Sequence, residues 1–261
     1  ASWPHGLGFP ADGPDGLCVG YGWRARASHA RELARRGRTG FAAVYEEAGR
    51  AGAALADALA ALAEARPAPV DVFAHSLGAR VALTALETLA ARGRRDVLAR
   101  LGRWVLLAPA EFSGAAQGAL ASGDRAGAAG PEIYSFLARH NRRYDELFGL
   151  CAPRGARRGA PLGLGGLGAE RRRWLDIAFD DPRLGPALAE RGVALAPHEG
   201  AACHWAFYMR DGAMALHRAI LRRAPGDAID ALRAAMPQGA APATVPRPAP
   251  AEALGLGAQP A

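Results

Sequence analysis

The chain has 261 residues, of which 50% are apolar, and its 32 basic and 25 acidic residues leave a formal net charge of +7. That length can bury the core of one domain, and no apolar run could span a bilayer because Arg, Asp or Gly interrupts each one. All the basic residues are arginines, and no aromatic residues are interleaved with them to stack on bases, which argues against a nucleic-acid binder.

The three cysteines predict neither a disulfide framework nor a metal site. Cys18, Cys151 and Cys203 are an odd set without a C-x-x-C pair, the spacing typical of structural zinc sites. The chain does not open with the charged and apolar regions of a secretory signal. We therefore expect a cytoplasmic protein that holds no metal and no cofactor.

The first elements are predicted to be a loop, a strand and a long helix. Residues 1–16 are rich in Pro, Gly and Asp, whereas Leu17–Trp23 alternates apolar and small residues as a buried strand does. An arginine-rich excursion follows, with one short helix at Ala30–Arg36. Glu46–Arg66 is rich in alanine, has leucines at helical spacing and precedes Pro67, so it predicts a helix with a defined end.

Strands and helices alternate through the rest of the chain. The run from Val70 predicts a strand whose following helix extends to Arg92, and Arg103–Ala108 is a second continuous apolar run. The remaining predictions are a small-residue loop with one weak helix at Ser113–Gly130, a strand at Glu132–Ala138, a helical turn at Tyr144–Leu150, a surface loop at Cys151–Ala169, short strands at Trp174–Phe179 and Val193–Pro197, and a closing helix at Tyr208–Arg223.

This order of elements predicts a three-layer α/β fold. Strands that are continuous apolar runs, separated by helices, are typical of a mostly parallel central sheet that helices cover on both faces. We assign residues 1–235 to this domain. Residues 236–261 are rich in Pro, Ala and Gly without periodicity, which predicts a disordered tail.

One serine lies where a strand is predicted to turn sharply into a helix. Val70–Val81 reads V-D-V-F-A-H-S-L-G-A-R-V, with Ser76 between the small residues Ala74 and Gly78. Strand, serine turn and helix form the context of a nucleophile elbow, in which small neighbours leave room for the following helix. The N–H of Leu77, at the start of that helix, is predicted to face a developing oxyanion.

A serine nucleophile needs a histidine base, and in this architecture the order along the chain is Ser, acid, His. Four histidines follow Ser76. His204, in the C-H-W-A-F-Y segment directly before the closing helix, is preferred over His198, which lies among Pro, Glu and Gly. His140 comes too early, and His217 lies inside the closing helix as a packed or surface residue would.

Four carboxylates are candidates for the acid that orients the histidine. Asp145 is preferred because it follows the predicted strand at residues 132–138, the usual place for this residue. Glu111 follows the preceding strand and is the first alternative. Asp176 and Asp180 are further options, the former within a predicted strand and the latter in a turn-like run.

These segments resemble the α/β-hydrolase superfamily, and more narrowly a bacterial branch of uncharacterised serine hydrolases with esterase- or lipase-like sequences. The resemblance extends over about Leu17–Arg223 and rests on the serine elbow, with L-C-V-G-Y-G-W-R-A-R-A-S, W-V-L-L-A-P-A-E-F and C-H-W-A-F-Y around it. It implies an α/β-hydrolase fold with Ser76 as nucleophile, His204 as base and Leu77 as one backbone donor of the oxyanion hole.

The chain departs from that family pattern in two places. In such families a strand ending in His-Gly precedes the strand near Leu17, and its loop donates the second oxyanion N–H, but here His5 and Gly6 have no apolar strand before them. The chain therefore either lacks the N-terminal strands of the fold or builds the second donor differently. Relatives also carry an Asp nearer the strand end, where this chain has Asn141 and Arg142.

The sequence thus predicts a hydrolase that cleaves a small-molecule carboxylic ester, or a thioester or amide, through an acyl-enzyme on Ser76. His204 would act as base and then as acid, and Asp145 would orient it. The alternative is a catalytically inactive α/β-hydrolase fold that serves as a binding or interaction module. The absent His-Gly loop and the distance of Asp145 from the strand end favour that alternative.

Overall fold

The computed structural model describes residues 2–9, 16–25, 40–127, 130–168, 171–197, 203–222 and 228–236. Three of the sequence predictions lie outside these residues. They are the short helix at Ala30–Arg36, the alternative base His198, and the tail from residue 237 onward.

A four-stranded parallel sheet forms the centre of the molecule. Its strands are β1 (Val70–His75), β2 (Leu101–Leu107), β3 (Glu132–Leu137) and β4 (Trp174–Ala178), and they lie side by side in sequence order. Each neighbouring pair is parallel. The four strands confirm the strand predictions at residues 70, 103, 132 and 174.

Eleven helices are described around the sheet, together with two 3-10 helices at Arg139–Asn141 and Arg154–Ala156. The helices are α1 (Trp3–Gly6), α2 (Gly40–Ala65), α3 (Gly78–Ala91), α4 (Arg95–Leu98), α5 (Ser113–Arg125), α6 (Arg142–Cys151), α7 (Leu162–Gly165), α8 (Leu184–Ala189), α9 (Ala206–Met209), α10 (Ala213–Arg222) and α11 (Ala228–Ala235). The long helices α2 and α3 confirm their predictions. No helix in the described ranges is long and apolar enough to cross a membrane.

Helices cover both faces of the sheet, so the predicted three-layer architecture is confirmed. On one face Trp104 and Leu106 of β2 pack in a core with α2, α3 and α5, and on the other Val105 and Leu107 pack in a core with α8 and α10. Successive residues of a strand point to opposite faces. Because both faces are buried, every residue of such a strand can be apolar, which explains the continuous apolar runs.

Leu17–Trp23, predicted as a buried strand, is not a strand in the structure. Leu17 and Val19 are exposed, while the Tyr21 hydroxyl donates to the carbonyl of Ala51 on α2 and Trp23 packs against the core. A strand needs a neighbour whose backbone completes its hydrogen bonds. Among the described residues β1 pairs with β2 alone, so this segment does not pair with the free edge of β1.

Two predictions near the end of the chain are also wrong. Val193–Pro197 forms no strand, and its Ala196 N–H instead donates to the carbonyl of Asp211 at 3.1 Å. The single closing helix predicted at 208–223 is divided into α9 and α10 because Gly212 adopts a φ of +84° between them. A β-carbon at Gly212 would collide with the backbone of Ala194, so the turn requires glycine.

Two segments predicted to be mainly loop carry more structure than expected, although a weak helix was predicted in the first of them. Ser113–Gly130 contains the thirteen-residue helix α5, whose Ala116 and Ala119 are buried in the core. Cys151–Ala169 contains a 3-10 helix and α7, and its carbonyls accept hydrogen bonds from the N–H groups that open α5. Its content of glycine and arginine predicted a loop, but it could not show these backbone hydrogen bonds, which attach the segment to α5.

Candidate active site

Ser76 lies on a strained turn between β1 and α3. Its φ is +56°, a left-handed conformation that residues other than glycine rarely adopt. Three hydrogen bonds hold the turn. The Ser76 N–H donates to the Leu107 carbonyl at 2.9 Å, and the Ser76 carbonyl accepts from the N–H groups of Ala79 at 3.0 Å and Ala110 at 3.1 Å. A β-carbon at Gly78 would lie 3.4 Å from that of Ala74, so small residues on either side let the turn close.

His204 lies against the residue that precedes Ser76. The His75 Nε2–H donates to the His204 carbonyl at 2.9 Å, and the two imidazole ring centres are 4.4 Å apart. This contact joins positions 129 residues apart in the chain. The structure therefore brings the predicted nucleophile and the predicted base to the same end of β1.

An amide, rather than a carboxylate, contacts the histidine ring. Asn141 Oδ1 lies 2.7 Å from His204 Nδ1, and Asn141 Nδ2 donates to Asp145 Oδ1 at 2.9 Å. Both Asn141 and Asp145 are buried. The direct contact between Asp145 and the imidazole that the sequence predicted is not formed, because Asn141 lies between them.

Sequence reasoning noted that Asn141 lies where relatives carry an Asp, but it did not choose Asn141 because it sought a carboxylate. Two signals pointed to the amide: Asn141 lies four residues past the end of β3, and it precedes Asp145 by four residues, the spacing that puts two side chains on one helix face. The 3-10 helix at residues 139–141 and the start of α6 realise that arrangement.

The order of these hydrogen bonds determines which imidazole nitrogen carries the proton. A carboxylate oxygen only accepts, so the Asn141 NH₂ faces Asp145 and its carbonyl oxygen faces the ring. His204 Nδ1 must then carry a proton, and Nε2 keeps a free lone pair. This is the tautomer that a general base needs for catalysis.

Burial changes the pKa of both titrating groups of this chain of hydrogen bonds. Together with a smaller contribution from the neighbouring His75, it lowers the pKa of His204 to about 4. It raises the pKa of Asp145 to about 7, against the effect of the Asn141 hydrogen bond. At neutral pH the imidazole is therefore uncharged, and the Asp145 carboxyl is close to the middle of its titration.

We expect Gly163→Ala to destabilise the protein by about 1–3 kcal/mol, because overpacked sites force side chains out of their rotamers. A β-carbon at Gly163 of α7 would collide with the buried Asp145 carboxyl. Gly165→Ala on the same helix is the control, since nothing lies within 4 Å of a β-carbon there. Urea unfolding curves measure both changes, and equal midpoints would contradict the predicted collision.

Glu111, the first alternative acid, belongs to a different cluster. It accepts hydrogen bonds from the Tyr45 hydroxyl at 2.5 Å, from Arg80 Nη1 at 2.6 Å and from the Phe112 N–H at 2.8 Å. Arg80 also lies over the Tyr45 ring. Glu111 thus connects the turn after β2 to α2 and α3, and burial raises the pKa of Tyr45.

Asp176 and Asp180 also bind backbone groups rather than the histidine ring. Asp176 accepts hydrogen bonds from the N–H groups of Leu167 and Gly168 and from the Trp174 indole, so it fixes the loop before β4. Asp180 accepts from the Arg139 N–H at 2.8 Å. That bond anchors the 3-10 helix that carries Asn141.

The other described histidines after Ser76, which are His140 and His217, pack against aromatic side chains in the interior of the protein. His217 is buried on α10, where its Nε2–H donates to the Phe207 carbonyl and its ring packs against Phe136. His140 packs against Phe207. Within the described ranges, no group of three His, Cys, Asp or Glu side chains could hold a metal ion.

The backbone of Leu77 is the available oxyanion donor at the turn. Leu77 directly precedes α3, so its N–H belongs to the unsatisfied donors of a helix start. The His5-Gly6 segment does not offer a second donor, because it lies in α1. There the N–H groups of Gly6 and Leu7 already donate to the carbonyls of Ser2 and Trp3.

Comparison with known proteins agrees with this architecture. A family described as "Alpha/beta hydrolase of unknown function (DUF900)" matches residues 11–124, which include α2, β1, the serine turn, α3 and β2. The match spans less than half of the chain, and the layered parallel sheet is consistent with a partial α/β-hydrolase fold. Asn141, Asp145 and His204 lie beyond the matched residues. No curated protein and no solved structure matches the chain.

Proposed function

We propose that the chain is a serine hydrolase that cleaves a carboxylic ester, or a thioester or amide, through an acyl-enzyme on Ser76. The observation that carries this proposal is the contact of His204 with the residue before Ser76. It is supported by the Asn141 hydrogen bond, which leaves the Nε2 lone pair of His204 free to take a proton.

In the first half of the reaction, Ser76 Oγ attacks the carbonyl carbon of the substrate while His204 Nε2 takes the hydroxyl proton. The carbonyl oxygen becomes an oxyanion, which the Leu77 N–H stabilises from the start of α3. When the tetrahedral intermediate collapses, the bond to the alcohol breaks and Nε2 returns its proton to the leaving oxygen. The acyl group is then esterified to Ser76.

In the second half, water repeats the sequence. His204 takes a proton from the water, whose oxygen attacks the acyl carbon, and collapse of the second tetrahedral intermediate breaks the bond to Ser76 Oγ. Nε2 gives its proton back to the serine, so the carboxylic acid leaves and the protein regains its starting state. Asp145 contributes through Asn141, because its negative charge favours the imidazolium that forms in both halves.

A fluorophosphonate probe tests the proposal directly. We expect it to label the intact chain at Ser76, with loss of fluoride, and to leave Ser76→Ala unlabelled. Ser113→Ala is a matched serine control that should label like the intact chain, since Ser113 opens α5, where its N–H donates to the Ala160 carbonyl. Labelling of Ser76→Ala at the same rate as the intact chain, read by peptide mass spectrometry, would refute Ser76 as the nucleophile.

A second candidate function is a catalytically inactive binding or interaction module of the same fold. The specific observation that favours it is the amide of Asn141 in contact with His204, where a carboxylate would stabilise the imidazolium more strongly. This candidate predicts a folded chain that neither reacts with the fluorophosphonate nor hydrolyses short p-nitrophenyl esters.

A further inference from the structure

We infer that the proposed hydrolase acts on esters with long apolar acyl chains, which lie across exposed apolar side chains beside Ser76. This inference rests on the proposed function. The surface, here called the apolar rim, consists of Tyr144 and Leu147 on α6 with Trp205 and Met209 at α9.

All four rim residues have large side chains that are exposed. Tyr144 is 37% exposed, Leu147 48%, Trp205 49% and Met209 69%. The other large apolar residues found exposed in the described ranges are Leu150, next to the rim on α6, and Leu17, Val19 and Tyr21 near the N-terminus. Exposed apolar residues that gather in one place mark an interaction site.

Helix α6 brings the rim to the site. The Tyr144 ring stacks on the His204 ring with centroids 4.8 Å apart, and one turn later Phe148 packs in the cluster that includes Leu77. One face of α6 therefore extends from the proposed base to the proposed oxyanion donor. Leu147 adjoins that face between Tyr144 and Phe148, because residues three apart on a helix are neighbours.

The side chains that pack around Leu77, the residue of the proposed oxyanion donor, are apolar as well. The Leu77 side chain packs with Tyr45, Phe112 and Phe148, and the partly exposed Phe41 joins the same cluster. The Arg80 guanidinium reaches this cluster but is paired with Glu111 at 2.6 Å. An ionised acyl group would therefore gain little from Arg80, whereas an alkyl chain would bury apolar area of the rim and of the partly buried Leu77 and Phe41.

The position of the reacting carbonyl assigns the acyl chain, rather than the alcohol, to the rim. His204 takes and returns protons on Nε2, so the alcohol leaves on the Nε2 side of the ring, whereas Nδ1 faces Asn141, which directly precedes α6. The carbonyl oxygen points to the Leu77 N–H. The remaining substituent of the carbonyl carbon is the acyl chain, and α6 flanks the path between these two groups.

Two phosphonofluoridates that share an ethoxy group and differ only in a methyl or octyl group on phosphorus test the inference. In each reaction Ser76 Oγ forms a bond to phosphorus, fluoride leaves and His204 takes the hydroxyl proton, while the alkyl group occupies the place of the acyl chain. We expect the octyl reagent to label Ser76 at least about tenfold faster, because each buried methylene favours binding.

Leu147→Ser should lower the ratio of the octyl to the methyl rate at least about threefold, and Met209→Ser tests the same surface from α9. Leu17→Ser, which alters an exposed leucine near the N-terminus, should leave the ratio unchanged. A ratio near one in the intact chain, or equal ratios in Leu147→Ser and Leu17→Ser, would overturn the inference while Ser76 labelling still supported the hydrolase. If neither reagent labels Ser76, the proposed function fails and the inference fails with it.

Discussion

Ser76→Ala and His204→Gln are each expected to lower kcat for a short p-nitrophenyl ester by on the order of 10⁴-fold or more, and the double variant no further. The alanine removes the attacking oxygen. The glutamine leaves the hydroxyl proton without an acceptor, so the oxygen stays a poor nucleophile. Because the two groups act in one step, removing the second cannot slow a step that the first has already abolished.

The measurement is steady-state hydrolysis of p-nitrophenyl butyrate by the four proteins. His5→Gln is the matched control, since His5 is an exposed histidine on α1 and should turn over like the intact chain. Circular dichroism and urea unfolding establish that each variant is folded. If His204→Gln kept most of the rate, or if the two losses multiplied in the double variant, the proposed partnership of Ser76 and His204 would be wrong.

The parts of the fold that follow from local patterns were predictable. β2 is a continuous apolar run and α2 has leucines at helical spacing, while the serine turn needs only small residues between an apolar strand and a helix. Leu17–Trp23 shows why a local pattern is insufficient, since its alternation is correct for a strand but its pairing depends on a neighbour elsewhere in the chain. Strand formation is non-local in a way that helix formation is not.

The candidate site divides in the same way. Ser76 is recognised within twelve residues, and His204 follows from the order of elements along the fold. The contact of Asn141 with the imidazole could not be predicted from the sequence. The 3-10 helix after β3 determines whether Asn141 or Asp145, four residues later, reaches the ring. A shift of one helical turn would have put Asp145 there. Residue type alone favoured the carboxylate, whereas backbone geometry brought the amide to the ring.

The position of Asn141 between Asp145 and His204 leads to a second prediction with a large effect on kcat. We expect the exchange Asn141→Asp with Asp145→Asn to raise kcat about tenfold to a hundredfold, because a carboxylate would then contact the His204 ring directly. A charged acceptor roughly doubles the strength of such a hydrogen bond and stabilises the imidazolium. The exchange conserves the net charge and both hydrogen bonds. The amide introduced at position 145 would donate to the carboxylate introduced at position 141, which reverses the natural bond from Asn141 to Asp145.

The single variants are the controls for the exchange. Asp145→Asn alone leaves no carboxylate near the ring and should lower kcat, whereas Asn141→Asp alone brings two carboxylates within hydrogen-bond distance, so that one must hold a proton at neutral pH. If the natural chain and the exchanged chain had equal kcat, Asp145 would be a packing residue and not part of the catalytic arrangement.

The pH profile provides a second measure of the same pair. In the natural chain the rate should fall as the pH drops through about 7, because protonation of the buried Asp145 removes the negative charge that supports the imidazolium. Asp145→Asn should abolish that step. In the exchanged chain the carboxylate accepts hydrogen bonds from the Nδ1–H of the neutral imidazole and from the amide at position 145. Both favour its charged form and lower its pKa, so the step should move to lower pH. A step that stays near pH 7 in all three proteins would have to come from another group and would remove Asp145 from the mechanism.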